Sequence, residues 1–215
     1  NDEQAAAVQQ IVDFRAAPLP YVIFGPPGTG KTTTIIAAAK AILAAYPDER
    51  ILMVAPSNSA ADLLVEKMAQ PPHAVPPDHM SRVNAFSRDR RTVSEEVMRY
   101  SHAVEESFAL PPMGDLEQRR VVVATLTTAG KLYNNGMTCG HFSTIFVDEA
   151  GHALEPEALC AVSALLAVSP GDRQRQGRLV FSGDPHQLGP IVMSGVAKEC
   201  GLARSVLERL VELPL

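Results

Sequence analysis

The residues Gly25-Pro26-Pro27-Gly28-Thr29-Gly30-Lys31-Thr32 combine three glycines, a lysine and a hydroxyl at the spacing of the Walker A pattern. Glycines let a backbone curl until its N–H groups converge on an anion. A helix starting directly afterwards adds the partial positive charge of its N-terminus. In such a loop Lys31 reaches the β- and γ-phosphates of a nucleotide, the Thr32 hydroxyl binds Mg²⁺, and Thr33 continues the cradle. Much later, Asp148-Glu149 closes the apolar run Ile145-Phe146-Val147. Asp148 is placed to hold Mg²⁺, and Glu149 to orient and deprotonate an attacking water. Helix capping accounts for Glu155 and Glu157 beside Pro156, but not for two adjacent carboxylates at a strand end. A third segment, Gly183 to Pro190, contains Gln187, a neutral donor able to sense a γ-phosphate; taken alone, the segment reads better as a polar turn fixed by Pro185 and Gly189. His186 beside it reads as solvent-facing and receives no metal.

Positioning these groups requires strands that end at one edge. Short apolar runs at Tyr21–Phe24, Ile51–Val54, Val121–Thr125, Thr144–Val147 and Leu179–Ser182 alternate with helical segments. That alternation predicts an α/β fold, a mainly parallel sheet with helices on both faces. The strands are almost wholly apolar, as strands buried on both faces are. Each is followed by polar or Gly-rich residues: Gly25, Ser57-Asn58, Thr127-Thr128, Asp148-Glu149 and Gly183-Asp184. In an open parallel sheet these positions share the carboxyl edge, where ligands bind. Pro71, Pro72, Pro76 and Pro77 break the Ala60–Ala69 helix and open an inserted, irregular to helical region at about 70–120. Inside it, Arg82–Asn84 reads as a short strand, Arg88–Arg91 as an exposed charged cluster and Thr92–Ser107 as helical. Ser169–Gly177 reads as a polar loop.

The 215 residues fit one large α/β domain, and 46% hydrophobic against 20% charged residues supply a continuous core. The net charge of −5 disfavours a broad basic surface, so any nucleic-acid groove has to be local. Cys139, Cys160 and Cys200 are too scattered for a disulfide framework or zinc site and read as buried thiols of a reducing compartment. Ala158–Val168 reads as a buried helix, and no run reaches the ~20 apolar residues of a membrane span. The sequence opens at Asn1 without an initiator methionine and looks excised from a longer protein.

Together and in this order, Gly25–Thr32, Asp148-Glu149-Ala150-Gly151 and Gly183–Pro190 resemble motifs I, II and III of superfamily-one helicases of the up-frameshift type. Tyr21–Thr34, His141–Glu157 and Gly201–Leu210 look most like the Armitage-type RNA helicases of small-RNA silencing. The resemblance covers nearly the whole chain. It implies a RecA-like P-loop domain, the first of two, that binds ATP with Mg²⁺ and moves 5′-to-3′ on single-stranded RNA. It also implies that Gln4 reads adenine, and that Pro56, Ser57 and Asn58, then Thr125 and Thr127, contact the nucleic-acid backbone. Read without the resemblance, Ser59 caps a helix, Thr125 suits a strand and Gln4 is surface. The implied partners are the second RecA-like domain and silencing or RNA-decay proteins, and the implied location is the cytoplasm, including ribonucleoprotein granules. Arginine fingers belong to the second domain; Arg204 and Arg209 read as a solvated face of a terminal helix, so the fragment is expected to bind nucleotide but hydrolyse it poorly.

Two alternatives stay open at this level. A self-contained P-loop NTPase or nucleotide kinase lacks support from a guanine-reading Asn-Lys-x-Asp motif or an Arg-rich lid, although Arg88–Arg91 could be stretched into one. An RNA- or protein-docking module with a structural nucleotide would have little chemical need of Glu149.

Overall fold

A computed structural model describes residues 1–13, 20–168, 177–187 and 189–213. The elements run, in chain order, α1 (Asp2–Val12), β1 (Tyr21–Phe24), α2 (Lys31–Ala45), β2 (Ile51–Ala55), α3 (Asn58–Ala69) and β3 (Met80–Val83). There follow α4 (Glu95–Met98), β4 (Ala103–Val104), β5 (Ser107–Phe108), α5 (Met113–Glu117), β6 (Val121–Thr125) and α6 (Leu126–Ala129). The chain continues through β7 (Thr144–Val147), α7 (Glu155–Ser163), β8 (Arg178–Gly183), α8 (Gly195–Glu199) and α9 (Val206–Val211).

Six strands form one parallel sheet in the order β1-β8-β7-β2-β6-β3. Alternation along the central strands divides the core. Ile51, Met53, Val121, Val123, Phe146 and Val180 face α1, α2 and α3, whereas Leu52, Val54, Val122, Ala124, Ile145, Val147 and Phe181 face α6, α7 and α9. This is the period-2 consequence of a strand buried on both sides, and it explains why the runs carry no polar alternation. The α/β class, the parallel sheet and the helices on both faces therefore stand as the sequence predicts.

Several details differ. The strand expected at Arg82–Asn84 begins at Met80 and pairs with β6 as an edge of the main sheet, so this part of the 70–120 region is sheet and not decoration. Thr92–Ser107 is not one helix: α4 spans only Glu95–Met98, and β4 and β5 form a small antiparallel hairpin. The cap of α3 is Ser57, whose Oγ accepts from the Ala60 amide at 3.1 Å, rather than Ser59. Ala158–Val168 is helical only to Ser163, with Ala158, Ala161, Val162 and Leu165 buried. All three cysteines are exposed, against the expectation of buried thiols. Arg209 is not merely solvated, because its guanidinium pairs with both carboxylate oxygens of Glu155. Of the Ser169–Gly177 loop only Gly177 lies within the described residues, and Leu188 of the third motif lies outside them. Among the described residues no helix is long and apolar enough to cross a membrane.

Candidate nucleotide and nucleic-acid site

The phosphate loop joins β1 to α2 in the predicted place. Gly28 and Gly30 adopt φ of +77° and +84°, a conformation that side-chain-bearing residues rarely take. A Cβ at Gly30 would also come within 2.4 Å of Gln4 Nε2, the movable end of that side chain. Among the described residues, the amides of Gly28, Thr29 and Gly30 donate no hydrogen bond. Lys31 Nζ donates to Gly25 O at 2.8 Å and Pro26 O at 3.0 Å, and Thr29 Oγ1 to Pro26 O. Unspent amides around a lysine held on its own loop carbonyls are the donor set that phosphate oxygens satisfy. Pro26 and Pro27 are exposed on the rim, and Thr33 lies exposed in the first turn of α2.

Gln4 reaches this loop from α1. Its Nε2 donates to Thr29 O at 2.9 Å, and it closes a capping box with Asn1. Gln4, Tyr21, Phe24, Thr29 and Lys31 share a cavity of about 540 Å³. The glutamine singled out by resemblance is thus at the phosphate loop and not on remote surface.

The two carboxylates of the second motif lie at the end of β7. Thr32 Oγ1 donates to Asp148 Oδ2 at 2.8 Å, across 116 residues of sequence. Asp148 is buried, and desolvation raises its carboxyl above the ordinary aspartate range, opposed by the hydrogen bond from Thr32 and by the nearby Ser182 hydroxyl. The Ser182 hydroxyl, buried at the end of β8, makes no bond of full geometry and keeps a free valence beside the carboxylate. A half-satisfied buried carboxylate touching a hydroxyl fits Mg²⁺, which takes one or two protein oxygens and completes its shell with phosphate and water. No cluster of three or more His, Cys, Asp or Glu suited to a metal occurs among the described residues, so a fully protein-bound ion is not built here.

Glu149 has φ of +53°, a strained value for a residue with a side chain. Its carboxylate lies 3.4 Å from His152 Nδ1. There it lines a cavity of about 740 Å³ together with Pro56, Ser57, His152, Gln187 and Ile191. Gln187 Nε2 donates to Asp184 Oδ2 at 3.2 Å. Asp184 is held below the usual carboxylate range chiefly by the His186 amide, with Gln187 and the charge of Lys31 contributing. The second and third motifs meet backbone to backbone: a Cβ on Gly151 would lie 2.5 Å from Asp184 O. His186 is exposed, as expected.

At the edge that the resemblance assigns to nucleic acid, Pro56, Ser57 and Asn58 sit between β2 and α3, with Ser57 and Asn58 exposed. Thr127 is exposed on α6, while the Thr125 hydroxyl is engaged with Thr128 as the cap of that helix. The Arg88–Arg91 cluster is not a uniform exposed patch: the Arg88 side chain is buried against Asp62 and Asn84, while Arg91 and its partner Asp89 stand in solvent. Sequence reasoning gave no role to Asp184, Ser182 or His152. Ser182 left a signal as a hydroxyl ending an otherwise apolar strand, and Asp184 as a polar residue just past that strand's end.

A parallel sheet whose carboxyl edge carries a phosphate loop, a paired hydroxyl and carboxylate, and a second carboxylate one residue on defines a RecA-like P-loop domain. The family described as "AAA domain" matches residues 1–115 and 80–195. A zebrafish relative, "Putative helicase mov-10-B.1", is 46% identical over 98% of this chain and 20% of its own length. The human "RNA helicase Mov10l1" is 41% identical over 100% of this chain and 16% of itself, and the Drosophila "Probable RNA helicase armi" 32% identical over 99% and 19%. The chain therefore spans about a fifth or less of the length of these relatives. Among solved structures, yeast Dbp5 bound to Nup159, Gle1, IP6 and ADP superposes with a TM-score of 0.53 at 16% identity, over 91% of this chain and 43% of that one. The Pyrococcus furiosus Hef helicase domain gives 0.54 at 16% identity, over 85% and 31%. The chain belongs to this AAA-domain family, as the first RecA-like domain of an up-frameshift-type superfamily-one helicase.

Proposed function

We propose that this chain is the ATP-binding half of an RNA helicase motor that travels 5′-to-3′ on single-stranded RNA in small-RNA silencing or RNA quality control. The contact between Thr32 Oγ1 and Asp148 Oδ2 carries the reading, because it brings phosphate loop and acidic strand end together as one Mg²⁺-binding pair. Lys31 and the amides of Gly28, Thr29 and Gly30 would hold the β- and γ-phosphates, and Thr32 with Asp148 would hold Mg²⁺. When bound, Mg²⁺ neutralises charge on the phosphoryl oxygens. Glu149 accepts a proton from the attacking water, and Gln187, in the same cavity, reports the γ-phosphate to the edge formed by Pro56, Ser57 and Asn58. Gln4 beside the loop reads the adenine.

The names of the relatives and the resemblance of the three motifs support RNA as substrate; the same resemblance supports the second RecA-like domain, silencing or decay proteins as partners, and a cytoplasmic setting. The test is steady-state ATP hydrolysis with and without single-stranded RNA, for this chain and for one extended through a second RecA-like domain. The isolated chain should be nearly inert and the extension RNA-stimulated, with Glu149→Gln in the extended protein binding nucleotide but losing roughly 10²–10⁴-fold in turnover. Brisk, RNA-indifferent turnover by the isolated chain would instead identify a self-contained NTPase.

A further inference from the structure

Arg82, on the edge strand β3, is 1% exposed, which is rare for an arginine and demands an accounting of its donors. Nε donates to Asp62 Oδ1 at 3.0 Å, one terminal nitrogen to Val83 O at 2.7 Å, and the other to Asn58 Oδ1 at 3.0 Å. Arg88 binds the same Asp62 through two nitrogens and reaches Asn84 Oδ1 at 2.6 Å, while Asn84 Nδ2 donates to Ser101 Oγ at 2.9 Å. Two guanidiniums thus share one carboxylate, leaving the group a net charge of +1 (two positive, one negative) directly beneath Asn58.

We propose that Arg82, backed by Asp62 and Arg88, is a positioning residue that orients the Asn58 amide to donate to a phosphate of single-stranded RNA. An arginine has no acceptor, so the atom of Asn58 facing it has to be the oxygen. The amide nitrogen then points the other way. Asn58 is exposed, and among the described residues its Nδ2 donates to no protein group. Asn58 opens α3, next to Ser57 on the edge the helicase reading assigns to the nucleic-acid backbone, and on that reading the inference rests. The surplus positive charge beneath adds a local attraction that the chain's overall charge of −5 does not supply. The 70–120 region gains a role as well: through Arg88, Asn84 and Ser101 it braces the amide that meets RNA.

Asn58→Asp in the extended, RNA-stimulated protein separates the two sides of the amide. The inward oxygen remains and now meets Arg82 as a carboxylate, so thermal stability should be unchanged or raised. The outward donor is replaced by a negatively charged acceptor, so KM for RNA should rise roughly tenfold to a hundredfold. Arg82→Lys keeps the charge but loses the planar fork, and should raise KM for RNA while kcat at saturating RNA stays within about twofold. Should Arg82→Lys fail to fold, Asn58→Asp carries the test alone. An unchanged KM for RNA in Asn58→Asp, a clear loss of its thermal stability, or a folded Arg82→Lys with wild-type KM each overturns the assignment. If the unmodified extended protein shows no RNA stimulation, it is the helicase reading that has failed.

Discussion

Replacing Asp148 with asparagine should stabilise the empty domain and abolish its response to nucleotide. The carboxylate is buried, its pKa is raised by desolvation, and its resolved full-geometry partner is the Thr32 hydroxyl at 2.8 Å. Asparagine keeps an oxygen for Thr32 without placing a charge in that environment. A carboxyl whose folded pKa is raised contributes stability that is complete below its unfolded value, near pH 4, and lost as pH rises through the folded value. The variant's advantage should therefore open as pH climbs from that point and persist at neutrality. With Mg²⁺ and a non-hydrolysable ATP analogue at a hundred times the dissociation constant, the native chain gains about 2.7 kcal/mol. At about 2–4 °C per kcal/mol for a domain of this size, that is a rise in Tm of roughly 5–11 °C. Thermal melts with and without nucleotide and Mg²⁺, across a pH series, give both readouts. A variant that melts below the native chain without ligand, or that retains the Mg²⁺-dependent rise, would refute the reasoning.

Other substitutions probe the same frame. Gly151→Ala places a methyl 2.5 Å from Asp184 O, backbone against backbone, so it should cost about 1–3 kcal/mol in urea melts and weaken nucleotide binding by separating the second and third motifs. Phe146→Ala opens a cavity at a fully buried site on the α1–α2–α3 side of the sheet, with an expected loss of about 3–5 kcal/mol by chemical denaturation. Gln4→Ala removes the side chain that the proposed function assigns to adenine, so the preference for ATP over other triphosphates, measured by competition, should fall by up to about tenfold. A Gln4→Ala chain with unaltered nucleotide preference would leave Gln4 as a helix cap alone.

The sheet was legible because its strands leave a compositional trace. Val121–Thr125 and Thr144–Val147 are apolar on both faces and end in polar residues, and their observed bounds coincide with the expected ones. β3 escaped full recognition because Met80-Ser81-Arg82-Val83 breaks that trace twice, with a serine and an arginine that are nevertheless buried. An arginine in a strand reads as solvent-facing until its partners are known, and those partners, Asn58 and Asp62, lie on a helix earlier in the chain. The same blindness made Arg88 look like part of an exposed run.

Legibility of the site follows the same division between local and distant contacts. The phosphate loop declares itself because its function needs glycines, a lysine and a hydroxyl at adjacent positions, and local spacing survives in the sequence. Glu149 was legible as a carboxylate but not as a strained one; its φ of +53° sits two residues before the close meeting of Gly151 with Asp184, a contact between segments far apart in the chain. The strain is of order 1–3 kcal/mol, and the Glu149 side chain lines the cavity it shares with Ser57 and Gln187. On the proposed function, Asp148 would serve the metal and Glu149 the attacking water. The left-handed backbone angle of Glu149 is a feature that no residue type at position 149 could have disclosed.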